Sequence, residues 1–225
     1  MFDQHITRLT KPLQQRIART LLSRGIHPDQ LTISGFVIGI TVIPLLAWQQ
    51  PLWALGSILL NRLLDGLDGT LARLTTPTDR GGFLDIVLDF LFYSAVPLGF
   101  ALYDPAHNAL AAAVLIYAFI GTGCSFLAFA IIAAKRQLTS QRYPHKSFYY
   151  LGGLTEAGET VLFFALMCLF PAWFVPLALL FAALCALTTA TRIYSGWHSF
   201  APTDQSNHHN HHNHQSSSNT PNDDT

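Results

Sequence analysis

Long apolar runs separated by short polar breaks fill the chain from about Leu31 to Ser195. Six of them, near 31–48, 52–73, 82–103, 109–134, 149–170 and 174–195, approach the ~20 residues that carry a helix across ~30 Å of hydrocarbon. The pattern predicts an all-α, polytopic membrane protein with six transmembrane helices. Ahead of them, Arg8, Lys11, Arg16, Arg19 and Arg24 alternate with Leu9, Leu13, Ile17, Leu21 and Leu22 at helical spacing. That is the signature of a basic amphipathic helix lying on the membrane surface, ended by Gly25 and Pro28. After about Ala201 the residues turn to His, Asn, Ser, Thr and Asp, a composition expected to stay disordered. Its HHNHHNH run could bind a transition metal, but a polar tail with no required ligand is the favoured reading. The expected organisation is a juxtamembrane helix over 1–30, a six-helix membrane domain over 31–200 and a tail over 201–225.

Composition agrees with that layout. Half of the 225 residues are hydrophobic and 12% are charged, against about 25% charged in soluble domains. The mean hydropathy of +0.32 includes the polar tail and so understates the membrane part. A formal net charge of zero offers no footprint for a nucleic acid. Cys124, Cys168 and Cys185 sit in apolar runs without metal-ligand spacing and read as ordinary buried cysteines. The first 30 residues lack the apolar core of a cleavable signal peptide. With six spans, one side receives the N-terminal cations, Arg73 and Arg80, and then Lys135, Arg136, Arg142 and Lys146. The loops near Gln49–Pro51, Asp104–Asn108 and Pro171–Ala172 receive no Lys or Arg. This bias places both termini in the cytoplasm, with Trp48, Trp53, Tyr103 and Trp173 flanking the outer loops.

Against this apolar background one stretch stands out, DGLDGTLARLTTPTDRGGFLDIVLD from Asp65 to Asp89. Asp65 and Asp68 are spaced i, i+3; Asp85 and Asp89 are spaced i, i+4. On helices each pair shares one face, with β-carbons about 5–6 Å apart. Carboxylates gathered in an apolar setting repel unless cations or protons neutralise them. Hard oxygen ligands favour Mg²⁺, Mn²⁺ or Ca²⁺ over zinc. The alternative, incidental acids on two solvated helix faces, belongs to soluble proteins and fits poorly here.

The run Asp65-Gly-Leu-Asp68-Gly69-Thr-Leu-Ala72-Arg73, followed by Gly81, Asp85 and Asp89, resembles the signature of the CDP-alcohol phosphatidyltransferases. That signature is D-x2-D-G-x2-A-R, a gap, then G-x3-D-x3-D. Seven residues separate Arg73 from Gly81, one fewer than the commonest spacing, and the difference falls in the polar loop. The contexts RLLDGLDG and GGFLDI are similar above all to small, uncharacterised bacterial inner-membrane members. The resemblance implies attack by an alcohol on a CDP-linked donor, usually CDP-diacylglycerol, with release of CMP in phospholipid biosynthesis. It implies two ions of Mg²⁺ or Mn²⁺, with Asp65, Asp68, Asp85 and Asp89 as ligands and Asp89 also as general base. Gly69, Ala72, Arg73 and Gly81 become nucleotide- and phosphate-binding positions. A homodimer in the bacterial inner membrane is implied as well.

Each of these residues also has a simpler explanation. Small residues serve helix packing in membranes, and Arg73 suits a positive-inside anchor. Pro28-Asp29-Gln30-Leu31-Thr32 resembles the family's P-N-x-x-T opening of the first span, with Asp in place of Asn. Arg62, one turn before Asp65, is read as a structural ion-pair partner. Glu156, Glu159 and Arg142 are candidates for the acceptor-alcohol pocket, with snorkelling or mutual pairing as the simpler role. Arg142, His145 and Lys146 also read as an interfacial basic patch, and Arg192 as facing the acidic centre or the cytoplasm. Two other functions compete: an intramembrane prenyltransferase using a polyprenyl diphosphate, and a divalent-cation or proton transporter. The first lacks the D-G-x2-A-R element. The second predicts acids spread through the bilayer depth rather than gathered at one face.

Overall fold

The computed structural model describes the backbone of residues 2–136 and 157–201, and the side chains of 12–136 and 158–201. Among these residues the secondary structure is wholly helical. The helices are α1 (Phe2–Ser23), α2 (Pro28–Ile40), α3 (Val42–Ala47), α4 (Pro51–Leu74), α5 (Asp79–Tyr103), α6 (Pro105–Lys135), α7 (Ala157–Leu169) and α8 (Phe174–Ser199), with a 3₁₀ turn at Pro171–Trp173 before α8.

Local chemistry sets most of these boundaries. Gly25 takes a left-handed φ of 75°, which glycine adopts without steric cost. The Ile26 amide then reaches back to the Leu21 carbonyl at 3.1 Å and closes α1. Pro28 opens α2 at a position where no amide is needed, and the Gln30 side chain accepts the His27 amide at 3.0 Å. Thr78 caps α5 by accepting the Gly81 amide at 3.1 Å. Asp104 caps α6, and hydrogen bonds from His107 hold its carboxyl below the usual carboxylate range.

The first apolar run is broken into α2 and α3 at Thr41. Pro44 lacks an amide and cannot bond the carbonyl of Ile40. Side chains of α4 serve this stretch: Ser57 donates to the Ile38 carbonyl at 2.6 Å and Asn61 to the Gly35 carbonyl at 2.9 Å. In hydrocarbon such bonds replace the water that would otherwise satisfy a carbonyl. The other expected spans correspond to α4, α5, α6, the described part of α7, and α8. The expected fifth helix begins at 149, and its first half lies outside the described residues.

Four stretches, 28–47, 79–103, 105–135 and 171–199, are each long and apolar enough to cross a membrane. Helix α4 has the length, 24 residues, but carries Arg62, Asp65, Asp68 and Arg73 from its midpoint onward. The chain is a membrane protein, all-helical among the described residues, and the acidic motif is shared between α4, with Asp65 and Asp68, and α5, with Asp85 and Asp89.

Aromatic rings fill the centre between α5, α6, α7 and α8. Phe100 stacks on Phe174 and Phe163 on Phe181, each with centroids 4.5 Å apart. Phe119 meets Phe164 and Phe181 edge-on. In lipid, helices gain little from apolar transfer and cohere through close packing. Gly39 of α2 shows how close: a Cβ there would lie 2.7 Å from the Phe92 ring and 2.8 Å from Asn61 Nδ2. A second, smaller cluster joins Ala18 of α1 and Leu31 of α2 to Leu67 and Leu71 of α4. Ile17 and Leu21 pack around it while Arg16, Arg19 and Arg24 are exposed. Helix α1 therefore braces the back of α4, leaving the aspartate face clear.

Candidate active site

Helices α4 and α5 bring their acids together. One carboxylate oxygen from each of Asp65, Asp68 and Asp85 lies within 4.8 Å of the other two. Asp68 is buried, Asp65 half-buried and Asp85 exposed, so the group forms a graded opening rather than a sealed core. Thr32 of α2 donates to Asp68 Oδ2 at 2.6 Å, which fixes the most buried of the three.

Asp89 stands one turn beyond Asp85 and outside that group. Its Oδ1 accepts a hydrogen bond from Arg62 Nη2 at 2.6 Å. The same guanidinium lies 3.5 Å from Asp65 Oδ2. It donates to Asn61 Oδ1 at 2.8 Å and to the Tyr93 hydroxyl at 2.9 Å. The rings of Phe92 and Tyr93 lie 4.6 and 5.0 Å from its central carbon, at cation–π range. Arg62 is thus the structural ion-pair partner expected for Asp65, and it binds Asp89 more closely still. Asp65 and Asp89 meet one guanidinium here while Asp68 and Asp85 stand beside Asp65, an excess of negative charge that suits cations.

Asp68 and Asp85 border a cavity of about 500 Å³. Gly69 and Ala72 line its α4 wall; Gly81 and Gly82 line the start of α5; His27, Pro28, Asp29 and Thr32 line the start of α2. A Cβ at Gly81 would come within 3.1 Å of Asp29 Oδ1 and 3.2 Å of Thr78 Oγ1, whereas one at Gly82 would meet nothing within 4 Å. Gly81 is the more crowded member of the pair, and it is also the one that fits the three-residue gap to Asp85. Asp29, the variant position of the first-span motif, is ion-paired with Arg80, whose Nε lies 3.0 Å away. The pair bridges the starts of α2 and α5 across the cavity rim.

Other expected positions fall elsewhere. Arg73 turns back over its own helix, donating to Thr70 Oγ1 at 3.2 Å, and does not line the cavity. Glu159 is half-buried in the first turn of α7, also away from the lining. Glu156 and Arg142 lie outside the described residues. Arg192 donates to the Thr122 carbonyl at 3.0 Å and stacks near Phe126. Three neighbours of the acids were not singled out as site residues: Thr32 in this role, Asn61 and Tyr93. Asn61 precedes Asp65 by four residues and Tyr93 follows Asp89 by four. Each is one turn along an acid-bearing face, a spacing that signals a polar stripe.

Comparison with known proteins agrees with this geometry. A sequence model of the CDP-alcohol phosphatidyltransferase family matches residues 25–194. The Escherichia coli (strain K12) inner membrane protein YnjF is 59% identical over 197 residues, 88% of this chain and 96% of the relative. Archaetidylinositol phosphate synthase of Pyrococcus horikoshii is 40% identical over 96 residues, half of that protein. Two crystal structures of Mycobacterium tuberculosis phosphatidylinositol phosphate synthase share the fold. The one with CDP-DAG bound has a TM-score of 0.61 at 21% identity, covering 83% of this chain and 94% of the other. The one with manganese and citrate has a TM-score of 0.62 at 22% identity, covering 82% and 88%. The aspartate motif, the cavity beside it and the match across most of the chain make this protein a member of the CDP-alcohol phosphatidyltransferase family, a transferase of phospholipid biosynthesis.

Proposed function

We propose that the chain transfers a phosphatidyl group from CDP-diacylglycerol to an alcohol, releasing CMP, and does so only with a divalent cation. The observation that carries this reading is the meeting of Asp65, Asp68 and Asp85 within 4.8 Å beside a cavity of about 500 Å³. The donor set fits the cation: three hard carboxylates, one fixed by Thr32, are what Mg²⁺ or Mn²⁺ prefers. Those three residues would hold it, and the four-carboxylate centre has charge enough for two ions. Bound there, the metal supplies charge neutralisation for the diphosphate and the departing CMP.

The remaining roles belong to the chain itself. Gly69, Ala72 and Gly81 leave the cavity walls bare, so a nucleotide can lie close to the backbone. Asp89 accepts the proton of the attacking alcohol as its oxygen bonds to the phosphatidyl phosphorus and the bond to CMP breaks. A carboxylate is a weak base, and it suffices because the alcohol proton becomes acidic as the new bond forms. Arg142, Glu156 and Glu159 are assigned to the acceptor side. The names of the synthases similar to this chain make inositol phosphate the first acceptor to try.

The same reading places six spans in the bacterial inner membrane: α2 with α3, then α4, α5, α6, α7 and α8. Both termini and the cavity face the cytoplasm. The exposure of Trp48, Trp53 and Trp173 at the opposite helix ends supports this, since such rings favour the interface. The N-terminal helix and the tail after 200 complete the three-part organisation, with a homodimer as the assembly. The test is release of CMP from radiolabelled CDP-diacylglycerol by the purified protein, with a panel of alcohols and a Mg²⁺ titration. Turnover should vanish with EDTA, and Asp68→Asn should shift the titration to higher Mg²⁺. Metal-independent turnover, or no CMP with any acceptor, overturns the reading.

A further inference from the structure

Arg62 occupies a place that the motif does not describe. It is a cation held inside an acidic centre, with a side chain only 13% exposed. Its hydrogen bonds run to groups on both acid-bearing helices: Asn61 beside it on α4, and Asp89 and Tyr93 on α5. Asn61 in turn donates to the Gly35 carbonyl of α2. One planar guanidinium therefore ties three helices together around the acids. Its flanking rings, Phe92 and Tyr93, leave it little freedom to turn. Lysine has the charge but not the fork of donors, so it cannot reproduce this set.

From this geometry we infer that Arg62 is a positioning residue for the transfer step: it fixes the Asp89 carboxylate by one oxygen. The inference rests on the assignment of Asp89 as base. Asp89 accepts the guanidinium's hydrogen bond, whereas Asp65, a member of the metal group, lies 3.5 Å from the same cation. The arrangement has a sign. Removing Arg62 deletes a positive charge 3.5 Å from Asp65 Oδ2, which lessens repulsion of a metal ion while releasing the base.

The test uses the full chain in detergent with Arg62→Gln and Arg62→Lys. Mn²⁺ binding is followed by electron paramagnetic resonance without substrate, alongside kcat, KM for CDP-diacylglycerol and the melting temperature. Both variants should lose about 10–100-fold in kcat, the scale expected for a misplaced catalytic group, with KM within about twofold. Mn²⁺ affinity should be retained in Arg62→Lys and retained or tightened in Arg62→Gln. A normal kcat in either variant overturns the inference, as does Mn²⁺ affinity falling in step with kcat, which marks a mere scaffold. If Arg62→Gln does not fold, Arg62→Lys decides alone by the same readings. Asp89→Asn separates the two levels. Activity in that variant removes the base assignment, whereas an inactive Asp89→Asn beside a fully active Arg62→Lys removes the positioning role only.

Discussion

Replacing Gly69 with alanine should make the protein more stable and less active. In the structure a Cβ at this position would lie 3.5 Å from Arg73 Nη1 and 3.8 Å from Nη2, ordinary contact with the end of a flexible side chain. Nothing in the fold has to move. Within a helix, alanine is favoured over glycine by about 0.8–1 kcal/mol, a gain that raises the melting temperature of a chain this size by about 2–4 °C. The same methyl group would project into the cavity wall. If the nucleotide lies against that wall, crowding of this kind costs on the order of 1–3 kcal/mol. That corresponds to a rise in KM for CDP-diacylglycerol of roughly 5- to 150-fold. The assays are a thermal melt in detergent and initial rates of CMP release over a range of donor concentrations. An unchanged KM would show that the donor does not use this space. A fall in melting temperature would show that Gly69 serves helix packing instead.

Asp89→Asn preserves shape and a hydrogen bond to Arg62 but accepts no proton. CMP release should fall by about 10²–10⁴-fold, the usual share of a positioned base, with the melting temperature nearly unchanged; near-normal rates would remove Asp89 from that role. Gly39→Ala should shift stability the opposite way to Gly69→Ala, because its Cβ would press to 2.7 Å from Phe92 and 2.8 Å from Asn61. Overpacking there should cost about 1–3 kcal/mol, read as a lowered melting temperature, and activity should fall with it because Asn61 carries Arg62.

The acidic site was legible because its elements are short-range. The i, i+3 and i, i+4 spacings put each aspartate pair on one helix face, and the long apolar runs said those helices lie side by side in lipid. Long-range pairings were not legible. Thr32 and Asp68 are 36 positions apart, and a threonine near a helix start is already explained by local capping. Asp29 reads as a departure from the motif until Arg80 is seen beside it. Arg62 announced an ion pair by its spacing to Asp65, but Asp89, the nearer partner, lies on another helix. The break at Thr41 was hidden too, because Pro44 sits in an apolar run that membrane helices tolerate when a neighbour satisfies the loosened carbonyls. The direction of Arg73 depends on rotamer choice at a helix end, where spacing says nothing about whether the side chain reaches forward or folds back.

The bracing of α4 by α1 has a consequence for biosynthesis. α1 leaves the ribosome before α2 to α8, yet the surface that receives Ile17, Ala18 and Leu21 includes Leu67 and Leu71, some 50 positions later in the chain. Until those leucines have been made, α1 has no finished protein bed to settle into. The order of synthesis is therefore the reverse of the order of docking, and α4 receives its rear support only after it has itself been completed.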